Sequence, residues 1–284
     1  MLKPIETLAA VEAAAEAKAS AYSKKLLILG AMAGAFIALA GLASTFVTAW
    51  MPMSSNFYGI AKMLGGVVFS AGLVMVVLGG AELFTGNSLM IAGVLSHKIK
   101  ISKMLRNWGL VYLGNFIGAL LVVLAAWGGG VFASSGGTVG TMLGVIAVNK
   151  IHIKFFPAIL LGILCNFLVC MAVWLAFSAK TLQGKVLGII FPITVFIICG
   201  FEHSIANMFY IPAGWLAAGC FDIWMIFANL IPVTIGNIIG GGVFVAAAYH
   251  FALNDGKISL CLTKNNQKAK SKSQEKLPRQ LKKK

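Results

Sequence analysis

The stretch "GFEHSIANMF", residues 200–209, sets Glu202 and His203 side by side inside an apolar run. From Val186 to Phe221 no other residue carries a charge or an imidazole. As one continuous helix that run would measure roughly 54 Å, against a bilayer hydrocarbon core of about 30 Å. The run from Phe57 to Leu95 has the same problem, at roughly 58 Å as a single helix. Tilt alone does not absorb such an excess. Each run is therefore expected to contain a break or an excursion out of the bilayer; a break is tolerated at membrane depth where protein buries it or where it lines a cavity. Gly79 and Gly80 mark the place in the first run and Gly200 in the second.

The two long runs carry the same motif. "GAELFTGN" at 80–87 and "GFEHSIAN" at 200–207 share G-x-E-x-x-x-x-N, 120 residues apart. "GNFIG" at 114–118 and "GNIIG" at 236–240 share G-N-[FI]-I-G, 122 residues apart. Two ordered matches at nearly one offset indicate an internal duplication. Its halves run from about 26 to 133 and from about 155 to 255. Six apolar runs, at about 26–49, 59–96, 108–132, 155–179, 186–221 and 223–253, give three spans per half. An odd number per half inverts the second half relative to the first, an arrangement typical of transport proteins with broken helices near the midplane. The expected fold class is all-α: a polytopic membrane protein of six transmembrane helices in two inverted three-helix repeats, with two broken helices.

Composition agrees with a lipid-embedded chain. Of 284 residues, 59% are hydrophobic and 11% charged, and the mean hydropathy is +0.90. The net charge of +15 is clustered. With both termini cytoplasmic, the inside segments hold Lys3, Lys18, Lys24, Lys25, Lys98, Lys100, Lys103, Arg106, Lys180, Lys185 and the basic tail. Only Lys62, Lys150 and Lys154 fall outside. This is a positive-inside distribution, so the basic excess reads as topology and calls for no nucleic acid. Residues 1–25 read as a cytoplasmic segment with an Ala-rich helix near 4–22, residues 26–255 as the membrane domain and 256–284 as a basic cytoplasmic tail. No charged n-region precedes an apolar h-region, so no cleaved signal peptide is expected. Cys and His residues are scattered without ligand spacing, and neither a metal nor a cofactor is expected.

The paired glutamates, Glu82 and Glu202, are expected to act as brackets that accept backbone N–H groups freed at the breaks. Asn87, Asn207, Asn115 and Asn237 are expected to tie helices together. His203 is a functional candidate, because an ionisable side chain inside a membrane is costly and needs a reason.

On "AELFTGN" (81–87), "GNFIGAL" (114–120), "GILCNFLVCMAVW" (162–174), "GFEHSIANM" (200–208) and "NLIPVTIGNIIGGG" (229–242), the chain resembles the formate/nitrite transporter family over residues about 5–255. The resemblance implies an aquaporin-like fold and a homopentamer in the cytoplasmic membrane with one pore per protomer. It casts His203 as the central pore histidine, Thr85 as the threonine facing it and Lys150 as the vestibule lysine that attracts anions. Asn166 and Asn237 become polar residues near the pore. Phe69, Leu73 and Phe196 resemble an outer apolar constriction, and Leu83, Phe84 and Val169 an inner one. The implied activity is transport, not catalysis: small monovalent anions of weak acids pass, formate first, with His203 protonating the solute between the two constrictions. Nitrite, hydrosulfide and lactate remain open as substrates. So does a neutral-solute pore, although paired Asn-Pro-Ala half-helices are absent from the sequence.

Overall fold

The computed structural model describes residues 1–51, 55–219 and 223–254. The basic tail expected at 256–284 lies outside the described residues. The described chain is helical throughout. A short helix α1 (Pro4–Ser20) precedes α2 (Ser23–Ala49) and α3 (Tyr58–Gly79). After a non-helical turn come a 3-10 segment (Gly86–Leu89) and α4 (Met90–Leu95). Next follow α5 (Ile101–Gly128), a 3-10 stretch (Val131–Gly137), α6 (Thr138–Ile151), α7 (Phe155–Ser178), α8 (Leu182–Cys199) and α9 (Ser204–Ala218). Last is α10 (Ile223–Gly241), which runs on through a π-helical turn at Gly242–Ala247.

Among the described residues, seven helices are long and apolar enough to cross a membrane, against six apolar runs in the sequence. The addition is Val131–Ile151. Ser134, Ser135 and Gly136 leave helical geometry within it, the last two with positive φ of 59° and 68°. Only the 14 residues of α6 are regular helix, roughly 21 Å of rise. The sequence reading missed α6 because its glycines and threonines dilute the apolar signal that periodicity detects.

Side chains face outward and inward as a lipid-solvated protein requires. Leu121, Leu160, Phe191 and Ile231 are exposed on the helix surfaces, while the buried polar set is dominated by Asn, Ser and Thr. Glycine permits the closest helix crossings. A Cβ on Gly34 or Gly118 would land inside the α2–α5 contact, and one on Gly236 or Gly240 inside the α7–α10 contact. The repeated G-N-[FI]-I-G motif is thus a close-packing surface twice over, where small residues let backbones touch.

The two over-long runs are divided. α3 ends at Gly80 (φ 70°, ψ 26°) and α8 at Gly200 (φ 69°, ψ 34°), both in the left-handed region that glycine occupies without a Cβ penalty. Helix direction resumes at Gly86 in the first run and Ser204 in the second.

Candidate functional site

The turns after Gly80 and Gly200 leave backbone groups without helical partners. The same bonds satisfy them in both halves. The Glu82 amide donates to the Leu29 carbonyl (3.1 Å) and the Glu202 amide to that of Leu161 (3.3 Å). Asn115 Oδ1 accepts the Phe84 amide (3.0 Å), and its Nδ2 donates to the carbonyls of Gly30 and Glu82 (both 2.8 Å). Asn237 Oδ1 accepts the Ser204 amide (2.9 Å), and its Nδ2 donates to the carbonyls of Gly162 (2.8 Å) and Glu202 (2.9 Å). These two asparagines, fully buried, splice each break to the two neighbouring helices.

This corrects the role expected of the glutamates. Their carboxylates accept side-chain donors, not backbone N–H groups. Lys18 Nζ donates to Glu82 Oε2 (2.8 Å) and to Asn87 Oδ1 (2.9 Å); Asn87 Nδ2 donates to Glu82 Oε2 (2.7 Å) and Asn107 Oδ1 (2.8 Å). Asn107 Nδ2 closes the ring on the Lys18 carbonyl (3.3 Å). In the second half Lys150 Nζ donates to Glu202 Oε1 (2.8 Å), Asn207 Nδ2 to Glu202 Oε2 (2.6 Å) and Asn229 Oδ1 (2.7 Å), and Asn229 Nδ2 to the Lys150 carbonyl (2.9 Å). The physical reason is reach: a planar asparagine amide supplies both the acceptor and the donors a broken helix needs, whereas a carboxylate only accepts.

Lys18, Asn107 and Asn229 were not among the expected site residues. Asn107 and Asn229 are 122 residues apart, the spacing of Asn115 and Asn237, so that offset applied to every polar residue would have found them. Lys18 and Lys150 are 132 apart, like Gly30 and Gly162. Two short helices, α1 and α6, each deliver a lysine to a break: Lys18 to Glu82 and Lys150 to Glu202.

Two cavities flank the breaks. One, about 190 Å³, is bordered by α1, α3 and the first break, with Lys18 and Glu82 as its charged residues. The other, about 410 Å³, is bordered by Lys62, Lys150 and Glu202 together with Ser44, Thr45 and Tyr210. Between the halves, Thr85 Oγ1 and His203 Nε2 stand 3.0 Å apart, both buried. His203 is also the N-cap of α9: its Nδ1 accepts the Ala206 amide (3.0 Å). An Nδ1 that accepts a backbone N–H carries no proton, so the neutral ring holds its hydrogen on Nε2 and donates it to Thr85. Thr85 is fixed in turn, because its carbonyl accepts Asn166 Nδ2 (3.1 Å) and Cys170 Sγ (3.3 Å). Asn166 Nδ2 also donates to the Asn237 carbonyl (2.6 Å). The amide groups of Asn166 and Asn237 therefore bond the backbone around the Thr85–His203 pair.

The apolar residues sort unevenly. Phe69 and Phe196 meet edge to face (centroids 5.5 Å), and Phe196 stacks near His203 (6.0 Å). Leu73, grouped with them in the sequence reading, borders the Lys18 cavity together with Leu83. It lies one helical turn, about 6 Å, further along α3 than Phe69. The Phe84 ring turns toward α5, against Tyr112 (4.8 Å) and Trp108 (5.9 Å). Val169 is buried on α7. Among the described residues no cluster of three His, Cys, Asp or Glu side chains is placed to hold a metal.

The formate/nitrite transporter family model matches residues 5–251. The chain is 38% identical over 268 residues to the formate channel FocA of Escherichia coli strain K12, covering 88% of this chain and 93% of that one. It is 41% identical over 251 residues to the transporter YrhG of Bacillus subtilis strain 168, covering 88% and 93%. Among solved structures it is similar to a pentameric formate channel with formate bound, at TM-score 0.71 and 37% identity, covering 81% of this chain and 97% of that one. These relatives are channels and transporters, not enzymes, and with them the chain belongs to the formate/nitrite transporter family.

Proposed function

We propose that this protein is a membrane channel for small monovalent anions of weak acids, with formate the leading substrate, and that it works as a homopentamer. The observation that carries the reading is the buried Thr85–His203 pair (3.0 Å), held by matching frames between two cavities that each hold a lysine–glutamate pair. Relatives that include a pentameric formate channel support both the substrate and the assembly.

In this reading six segments cross: α2, α3 with α4, α5, α7, α8 with α9, and α10. The 14-residue α6 is too short to span the hydrocarbon core and stays at one surface. The two halves are then inverted repeats, and the lysine bias keeps the Lys18 side cytoplasmic and the Lys150 side outside.

The tautomer bears on the mechanism. A neutral His203 gives up its Nε2 proton only if Nδ1 gains one, and gaining one displaces the Ala206 amide. Proton delivery is therefore coupled to loosening the first turn of α9. Without that motion, His203 and the Thr85 hydroxyl act as hydrogen-bond donors that orient a carboxylate. The solute crosses the apolar residues Phe69, Phe196, Leu73, Leu83 and Val169 as the neutral acid, because a bare carboxylate there would lose its hydration.

Flux of formate, nitrite, hydrosulfide and lactate into proteoliposomes at several pH values tests the proposal. The expected result is formate flux that rises as pH falls. Flux of neutral solutes such as glycerol, with none of the four anions, would overturn it.

A further inference from the structure

We propose that Lys62 is a second anion-docking group, and that it sets anion capture from the Lys150 side. The proposal rests on the channel reading above and goes beyond the Lys150 attraction that the family resemblance implies.

The first argument is charge. The Lys150-side cavity is bordered by three charged residues, Lys62, Lys150 and Glu202. Lys150 is partly buried and held 2.8 Å from the buried Glu202, so the two neutralise each other toward an approaching solute. Among the described residues no carboxylate pairs with Lys62. The cavity's excess positive charge therefore sits on Lys62. The opposite cavity is bordered by Lys18 and Glu82 alone, which pair at 2.8 Å, and has no such excess.

The second argument is position. Lys62 is half-buried. Its Nζ stands 5.9 Å from the Tyr58 ring centroid. A Cβ added to Gly200 would lie only 3.4 Å from the ammonium. The charge is thus held beside Gly200, three residues before His203, on the border of the Lys150-side cavity. An anion leaving bulk water meets this ammonium without having to displace a carboxylate from it.

The third argument is that the duplication does not require the residue. The 120-residue offset that relates Gly80 to Gly200 relates Lys62 to Leu182, an exposed residue at the start of α8. Gly80 accordingly has open space where Gly200 has an ammonium. A lysine that served only to finish a helix end would be equally useful at both breaks.

The bland alternative is that Lys62 merely caps the carbonyl end of α8. Concentration and salt dependence separate the two. Influx is measured in vesicles carrying wild type, Lys62→Arg or Lys62→Met, with the Lys150 side facing out, for whichever of formate, nitrite, hydrosulfide and lactate the wild type carries. Docking predicts that Lys62→Met raises half-saturation about tenfold at 10 mM salt with maximal rate unchanged. The difference should shrink to about twofold at 0.5 M salt, where screening is nearly complete, and Lys62→Arg should track wild type. Equal loss at every concentration and salt level, with lowered thermal stability, would overturn docking in favour of capping. Saturation-transfer NMR with formate on the detergent-solubilised protein reads binding without transport. Transfer weakened by Lys62→Met but kept by Lys62→Arg supports the proposal, and equal transfer in all three overturns it. A wild type that carries none of the four anions would overturn the channel reading, while the NMR arm still decides whether Lys62 binds an anion.

Discussion

The two breaks are built from the same parts and end in different chemistry. After Gly80 the chain reads Ala81, Glu82, Leu83, Phe84, Thr85; after Gly200 it reads Phe201, Glu202, His203, Ser204, Ile205. What matches is the frame: a left-handed glycine, a glutamate bonded to a lysine and an asparagine, and an asparagine splice from the facing helix. What differs is what faces the neighbouring half. Threonine in one stands against isoleucine in the other, leucine against histidine, and at the 120-residue offset the exposed Leu182 against the cavity-lining Lys62. The shared frame is the scaffold, and the positions where the two breaks differ carry the polar pair. Variants that act through the frame should therefore hurt both halves alike, and variants at diverged positions should not.

The largest effect is expected at the splices. Asn115→Leu and Asn237→Leu each strand one buried amide and one break carbonyl, that of Glu82 or Glu202, at about 1–3 kcal/mol per unpaired group. Both should fail to assemble, visible as loss of the oligomer peak in size exclusion. A stable Asn237→Leu beside a collapsed Asn115→Leu would break the equivalence.

A step down are the glutamates. The Lys150–Glu202 pair is more buried than Lys18–Glu82, with side chains 14% and 4% exposed against 26% and 12%. Removing one partner of a buried pair costs about 3–5 kcal/mol. Glu202→Leu should approach that range, and Glu82→Leu should fall short of it because water screens Lys18. Thermal unfolding in detergent reads the order, and the reverse order would contradict the account.

The smallest effect concerns α1, the helix that delivers Lys18. Lys98 Nζ lies 3.1 Å from Glu12 and 3.6 Å from Glu16. The hydrogen bond to Glu12 holds the lysine above its ordinary value, with attraction to both glutamates adding to it and burial opposing it slightly. A raised lysine stabilises the fold at every pH below the ordinary lysine range, and that contribution fades only as pH rises past it. Because Lys98 is over a third exposed, Lys98→Met should cost well under about 1 kcal/mol. The loss should be the same at pH 6 and pH 8, as read by denaturation midpoints.

Much of this was legible in the sequence, for identifiable reasons. The over-long apolar runs announce a helical membrane protein with breaks at Gly80 and Gly200, because span length is a property of the chain itself. The pairing of Thr85 with His203 was not legible from spacing; it came only with the family resemblance, since 118 residues separate the two. Lys18 stayed hidden because a lysine near the N-terminus already had an explanation in the charge bias. Asn115 and Asn237 tie helices as their repeat positions suggest; the glutamates were misassigned because a carboxylate beside a helix break looks like a cap. Only the direction of its oxygens, toward Lys and Asn side chains, shows otherwise.

The central claim is that the diverged pair, not the frame, makes permeation pH-dependent. Formate flux against pH through His203→Asn, beside wild type, tests it most directly. Asparagine keeps an acceptor for the Ala206 amide and a donor for Thr85 but does not titrate. The account predicts an assembled variant whose flux from about pH 5 to pH 8, where histidine changes charge, follows only the neutral-acid fraction of the solute and lacks the wild-type step. An assembled His203→Asn with the wild-type pH profile would contradict it.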